Sequence, residues 1–241
     1  MAEIMLEVCV DNVDGLAAAI AGGADRIELC SALEIGGLTP SAGLMRVAAA
    51  STVPVYAMIR PRGGEFIFDD VEVQLMLNEI DAVASAGLQG VVLGVSLRDG
   101  RLDQQTLDRL MRRARDHALP ATLHRAIDLC PDIAQATRLA IDLGFERILT
   151  SGGAKSALQG MDGLRRCFDA AAGRIAIMPG AGINAENIGQ LRARLPLQEV
   201  HASCSAPSPV SGAPALAFGF DSGNRRQTSR ERVSALKEAL L

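Results

Sequence analysis

The stretch Gly23-Ala24-Asp25-Arg26-Ile27 recurs as Gly144-Phe145-Glu146-Arg147-Ile148, and Gly87-Leu88-Gln89-Gly90-Val91 stands between them in the same role. In each copy a helical pattern stops at Gly, which relieves strain at a helix C-terminus, and a β-prone run follows. The copies mark the starts of the second, fourth and sixth strands. A motif repeating every second unit suits a closed barrel better than an open doubly wound sheet, which stays as the alternative. The expected fold class is therefore α/β, a single (β/α)8 TIM barrel, in one domain spanning 1–241. A chain of 241 residues is long enough for it.

Working outward from the repeat, strands are expected at 5–10, 26–30, 53–60, 90–94, 121–125, 147–151, 174–178 and 199–203. Helical periodicity fills the intervals. Over 70–86, Val71, Leu75, Asn78 and Ala82 share one face; over 103–117, Leu107, Leu110 and Met111 do. A Pro-, Ser- and Gly-rich stretch, 206–226, is expected as a long loop before the last helix, either a surface loop or a cover for the site.

Alternation along strands selects the side chains that enter the barrel, since residues two apart share a face. The second strand contributes Glu28 and Cys30, the fourth Val92 and Gly94, the sixth Leu149 and Ser151, the eighth His201 and Ser203. Odd strands contribute Glu7 and Cys9, then Tyr56, Met58 and Arg60, then Thr122 and His124. Leu6, Val8, Val55, Ala57 and Ile59 face outward, toward the helices. An unpaired charge inside a packed barrel is very costly, so Glu7, Glu28, Arg60, His124 and His201 must pair with one another, a ligand or a metal.

Three chemistries are open to this set. Glu7, Glu28, His124 and His201 are candidate acid–base catalysts, or ligands for a hard divalent cation. Arg60-Pro61-Arg62-Gly63-Gly64 offers two guanidinium groups and glycine amides for an anion. Thr150-Ser151-Gly152-Gly153, and Gly180 with Gly182 after the seventh strand, add backbone amides of the kind that bind phosphate. The plainer alternatives are a turn whose arginines pair with protein carboxylates and glycines that serve geometry alone. Cys9 and Cys30 end adjacent strands, where two thiolates suit a soft ion such as Cu(I) unless they are inert packing. No strand carries an inward lysine, the one late candidate being Lys155 in a loop, which disfavours Schiff-base chemistry. No organic cofactor is evident.

Composition narrows the partners. The net charge of −4, six Phe, one Tyr and no Trp give neither an electrostatic footprint nor a stacking surface for nucleic acid. No apolar run reaches the roughly 18 residues of a membrane span, and the start, Met1-Ala2-Glu3-Ile4, does not resemble an export signal. Five irregularly spaced cysteines are expected as free thiols.

The motifs Glu7-Val8-Cys9-Val10, Gly23-Ala24-Asp25-Arg26-Ile27-Glu28-Leu29-Cys30 and Gly36-Gly37-Leu38-Thr39-Pro40, in that order, resemble the CutC family. Met58-Ile59-Arg60-Pro61-Arg62-Gly63-Gly64, His124-Arg125-Ala126, Arg147-Ile148-Leu149-Thr150-Ser151-Gly152, Ile177-Met178-Pro179-Gly180 and His201-Ala202-Ser203 extend the likeness over about 5–205. The resemblance implies an eight-stranded barrel, a cytoplasmic homo-oligomer, and copper homeostasis with Cu(I) bound by cysteines. The chain departs from the family at Ala181, where a third Gly is expected, and after Cys204. The alternative function is an isomerase- or lyase-type enzyme for a small phosphorylated or carboxylated metabolite.

Overall fold

In a computed structural model, residues 3–209, 212–221 and 223–241 are described. The chain alternates strand and helix: β1 (Met5–Val10), α1 (Val13–Ala21), β2 (Arg26–Leu29), α2 (Ala42–Ala48), β3 (Val55–Met58), α3 (Asp70–Ala86), β4 (Gly90–Leu93) and α4 (Gln104–Asp116). It continues with β5 (Ala121–Leu123), α5 (Ile133–Asp142), β6 (Arg147–Thr150), α6 (Met161–Ala171), β7 (Ala176–Pro179), α7 (Ile188–Arg192) and β8 (Glu199–Ala202). These eight strands form one parallel sheet in the order β7-β6-β5-β4-β3-β2-β1-β8. The sheet curls into a nearly closed (β/α)8 barrel, with β7 and β8 adjacent.

The glycines behave as the repeat requires. Gly23, Gly87 and Gly144 have φ of 93°, 79° and 80°, left-handed values at which a side chain is strained. Outward strand residues Leu6, Val8, Val55, Ala57 and Ile59 join the large apolar layer between sheet and helices. In α4, Leu107, Leu110 and Met111 are buried as expected. The α3 expectation needs correction. Val71, Leu75, Asn78 and Ala82 share a face, but it is exposed, and Val73, Met76, Leu77, Ile80 and Val83 pack inward. That stripe is the more apolar of the two, and burial follows the greater apolar area.

Met1 and Ala2 lie outside the described residues, as do 210, 211 and 222 of the stretch 206–226. The remainder of that stretch carries structure of its own: β9 (Ser205–Pro207) pairs antiparallel with β10 (Arg226–Thr228), with the short α8 (Ala213–Ala217) between them. The helix α9 (Arg230–Leu240) then packs Val233, Leu236 and Leu240 inward.

Candidate functional site

Register stacks the inward side chains from the floor of the barrel to its mouth. Glu7 sits opposite Arg26 on one side and His201 on the other, and Cys9 sits opposite Glu28. Glu28 is in turn level with Tyr56. Cys9, Cys30, Arg60 and His124 come at or just beyond the strand ends, so the chemistry lies toward the carboxyl end of the sheet, where barrels carry it.

The floor is an ion network that alternation alone implied but that the sequence reading passed over. Arg26 and Arg147, equivalent residues of the repeat, both bond Glu199 Oε2. Their guanidinium carbons lie 5.6 and 5.0 Å from the Tyr56 ring centroid. Arg26 also donates to Glu7. Counting back two residues from Glu28 and His201 would have found Arg26 and Glu199.

Above the floor, charge is passed upward. Burial opposes ionisation of Glu7, but Arg26 and then His201 outweigh it and lower its pKa to about 2. The Glu7 carboxylate takes His201 Nδ1 at 2.9 Å. His201 Nε2 is 3.7 Å from Glu28 Oε2. Burial disfavours the His201 imidazolium, yet Glu28, Cys9 and Glu7 together hold it well above the usual histidine range. Burial raises Glu28 to about 6, with His201 pulling down and Glu7 pushing up. Its Oε1 is buried without a hydrogen-bond partner.

Around Glu28 stand the thiols. The Cys30 thiol donates to Glu28 Oε2 at 3.7 Å, and burial followed by the Glu28 charge holds it far above the normal thiol range. Ligand atoms of Cys9, Glu28 and His201 lie within 4.8 Å of one another, all buried. Bonds of about 2.0–2.3 Å to a tetrahedral ion keep ligand atoms roughly 3.5 Å apart, so the 3.7 Å spacings about Glu28 Oε2 are of the right order. Cys9 is thus grouped with Glu28 and His201, and Cys30 approaches the same carboxylate from the mouth.

The expected anion cradle is largely taken up by the protein. Arg62 pairs with Glu72 and donates to the carbonyls of Gly63, Glu65 and Ile67. The Asp128 carboxylate fills the turn after β6, accepting from Thr150 Oγ1 at 2.6 Å, Ser151 N at 3.0 Å and Gly153 N at 3.0 Å. Arg125 closes that cluster from Asp128 to Ser151 Oγ, both at 2.8 Å. The Gly152 amide goes to Thr150 Oγ1 and that of Gly180 to the Thr150 carbonyl. Gly180 is packed by Leu149 and His201, and the Gly182 carbonyl accepts from Asn187 Nδ2. Asp128 was absent from the sequence reading because the hydroxyl and amides it serves, from Thr150 to Gly153, lie more than twenty residues on, at and just beyond the end of another strand. Arg60 and His124 lie against Phe66.

Comparison with known proteins agrees with this architecture. The model of the CutC family matches residues 4–206. A CutC family protein of Rhizobium meliloti is 55% identical over 240 residues, covering 100% of this chain and 97% of the relative. One of Sinorhizobium medicae is 52% identical over 240 residues, covering 100% and 97%. The solved structure of CutC from Streptococcus agalactiae superposes with a TM-score of 0.78 at 29% identity, over 83% of this chain and 98% of that one.

Proposed function

The chain belongs to the CutC copper homeostasis family, and from that premise we propose that it holds one Cu(I) ion in the barrel mouth, with Cys9 and His201 as ligands, Glu28 beside them and Cys30 as the second thiol. The observation that carries this is the buried grouping of Cys9, Glu28 and His201 within 4.8 Å. Thiolate and imidazole are donors that Cu(I) favours. The site keeps protons on His201 and Cys30. A monovalent cation that displaces one of them leaves the buried charge unchanged, and a divalent ion must expel two. Binding therefore releases protons and weakens as pH falls. Reduced protein titrated with Cu(I) against a competing chelator, at two pH values, tests this. One ion per chain is expected, with at least tenfold weaker binding at the lower pH and in Cys9→Ala and Cys30→Ala. Binding no tighter than that of the double variant refutes it.

One observation favours a second reading, acid–base catalysis of isomerase or lyase type. Glu28, at about 6 with a free oxygen and an imidazolium beside it, is suited to exchange protons near neutral pH. A screen of small carboxylated and phosphorylated substrates, with Glu28→Gln as the inactive control, separates it from metal handling. No helix among the described residues is long and apolar enough to cross a membrane. The same proposal has the protein work in the cytoplasm as a single-domain homo-oligomer, which fractionation, limited proteolysis and native mass spectrometry check.

A further inference from the structure

Among the described residues, three buried polar side-chain atoms besides Glu28 Oε1 lack a hydrogen-bond partner: Arg60 Nε, Ser96 Oγ and His124 Nε2. The three residues meet at one residue, Phe66, Arg60 and His124 at its ring and Ser96 at its main chain. The Arg60 guanidinium carbon is 4.9 Å from its ring centroid, the His124 ring is 4.6 Å away, and Ser96 N donates to the Phe66 carbonyl at 2.8 Å.

Donor accounting fixes what these atoms offer. The Ala126 amide donates to His124 Nδ1 at 3.1 Å, so that nitrogen is an acceptor and the ring proton belongs on Nε2. Arg60 gives Nη1 to the carbonyls of Ile35 and Gly37, both at 3.0 Å, and Nη2 to that of Gly64 at 2.7 Å. All three acceptors are neutral, and Arg60 enters no ion pair among the described residues. The cluster is thus a buried cation paired with no carboxylate among the described residues, its Nε–H buried and unmet, beside a neutral imidazole with an unmet N–H and a hydroxyl. Unmet buried donors are costly, and a charged acceptor recovers most.

We propose that Arg60, His124 and Ser96 form a binding site for the carboxylate of a small molecule, one oxygen accepting from Arg60 Nε–H and the other from His124 Nε2–H. One cation and a neutral imidazole match a monoanion. A phosphate dianion would call on further amides, and those after β6 are already held by Asp128. The three atoms are closed to solvent. Phe66, half-buried in a segment between β3 and α3 that has no regular structure, lies against Arg60 and His124 and must turn aside for the ligand to enter.

The site borders the copper site, since Arg60 Nη1 donates to the Gly37 carbonyl and Gly37 lies beside the Cys30 sulfur, but it is tested on metal-free, reduced protein with Cys9, Cys30 and His201 unchanged, so that failure of one reading leaves the other standing. Acetate and inorganic phosphate serve as probes, followed by calorimetry and by NMR of the His124 ring nitrogens. Acetate is expected to saturate at one per chain and to shift the Nε2 signal. Its affinity should fall at least tenfold in His124→Asn and be kept or improved in Phe66→Ala. Should the His124 variant fail to fold, Ser96→Ala is expected to weaken acetate at least threefold. An unmoved Nε2 signal in large acetate excess, unchanged affinity in the folded variant, or tighter phosphate than acetate overturns the proposal.

Discussion

Substituting Asn for His124 removes a titrating group while keeping its local role. His124 is the N-cap of the 3-10 turn Arg125–Leu129, accepting from Ala126 N, and Asn is a favoured residue at such a cap. Burial first, and then the charge of Arg60, lower the His124 pKa from 6.5 to about 3, against weaker pulls from Asp128 and the backbone. Between those values the unfolded chain takes up a proton that the native ring refuses, so this group's contribution to stability falls as pH falls. At a limiting slope of about 1.4 kcal/mol per unit, the descent from pH 7 to 4.5 removes about 2.5 kcal/mol. The wild-type curve alone would hide this. Glu28, raised to about 6, works with the opposite sign, since between about 4.5 and 6 the native state binds the extra proton. Glu7, lowered to about 2, responds only below its unfolded value of 4.5. The informative quantity is the stability gap between wild type and His124→Asn, measured by urea unfolding at pH 7 and pH 4.5. The gap should shift in favour of the variant by roughly 2–3 kcal/mol at the lower pH. A gap that stays the same within about 0.5 kcal/mol would show that His124 is not held neutral by its surroundings.

Three further outcomes follow from the same geometry. Asp128→Ala strips acceptors from Ser151 N, Gly153 N and Thr150 Oγ1; thermal unfolding should show a loss of about 3 kcal/mol or more, part of it restored by added acetate, which can occupy the vacated turn. Glu199→Gln leaves Arg26 and Arg147 without their shared carboxylate, and chemical denaturation should register a loss of roughly 3–5 kcal/mol. Ala181 holds a left-handed φ of 73°, so Ala181→Gly should raise stability in the same assay by up to about 1 kcal/mol, the relief of strain exceeding the entropic cost of Gly.

How far the sequence speaks depends on whether a feature is periodic or made by distant partners. The starts of the even strands two, four and six were legible because glycine placed at helix ends fixes where they begin: β2 is found at Arg26–Leu29 and β6 at Arg147–Thr150, against expectations of 26–30 and 147–151. Alternation then gave the inward residues, including Glu7, Cys9, Glu28 and His201, which the barrel does bring together. The α3 face was misread because Val71 and Leu75 are apolar yet exposed, and a helix on a barrel buries whichever stripe carries more apolar area. The partners of Arg62 and of the turn after β6 were not legible at all. Glu72 is paired with Arg62 at the first turn of α3, and Asp128 reaches its amides from the connection after β5. A charged residue in a loop gives no signal of which distant group it will meet.

The repeat that discloses the fold also sets the electrostatics of the site. Arg26 and Arg147 occupy the same place in Gly23-Ala24-Asp25-Arg26-Ile27 and Gly144-Phe145-Glu146-Arg147-Ile148. Strands two and six face each other across the eight-stranded ring, so the two guanidinium groups converge on the axis, where Glu199 and Tyr56 receive both. That floor keeps Glu7 ionised. Ionised Glu7 holds His201 charged, and charged His201 limits how far burial can raise Glu28. Removing Arg147 would therefore act at the mouth without touching it: Arg26 still keeps Glu7 ionised, while the loss of a cation from the floor lets His201 hold its proton more tightly, and the proton a metal must displace becomes harder to remove. Copper affinity in Arg147→Met should accordingly fall below that of wild type at a given pH near neutrality, and an unchanged affinity would mean that floor and mouth are electrostatically independent.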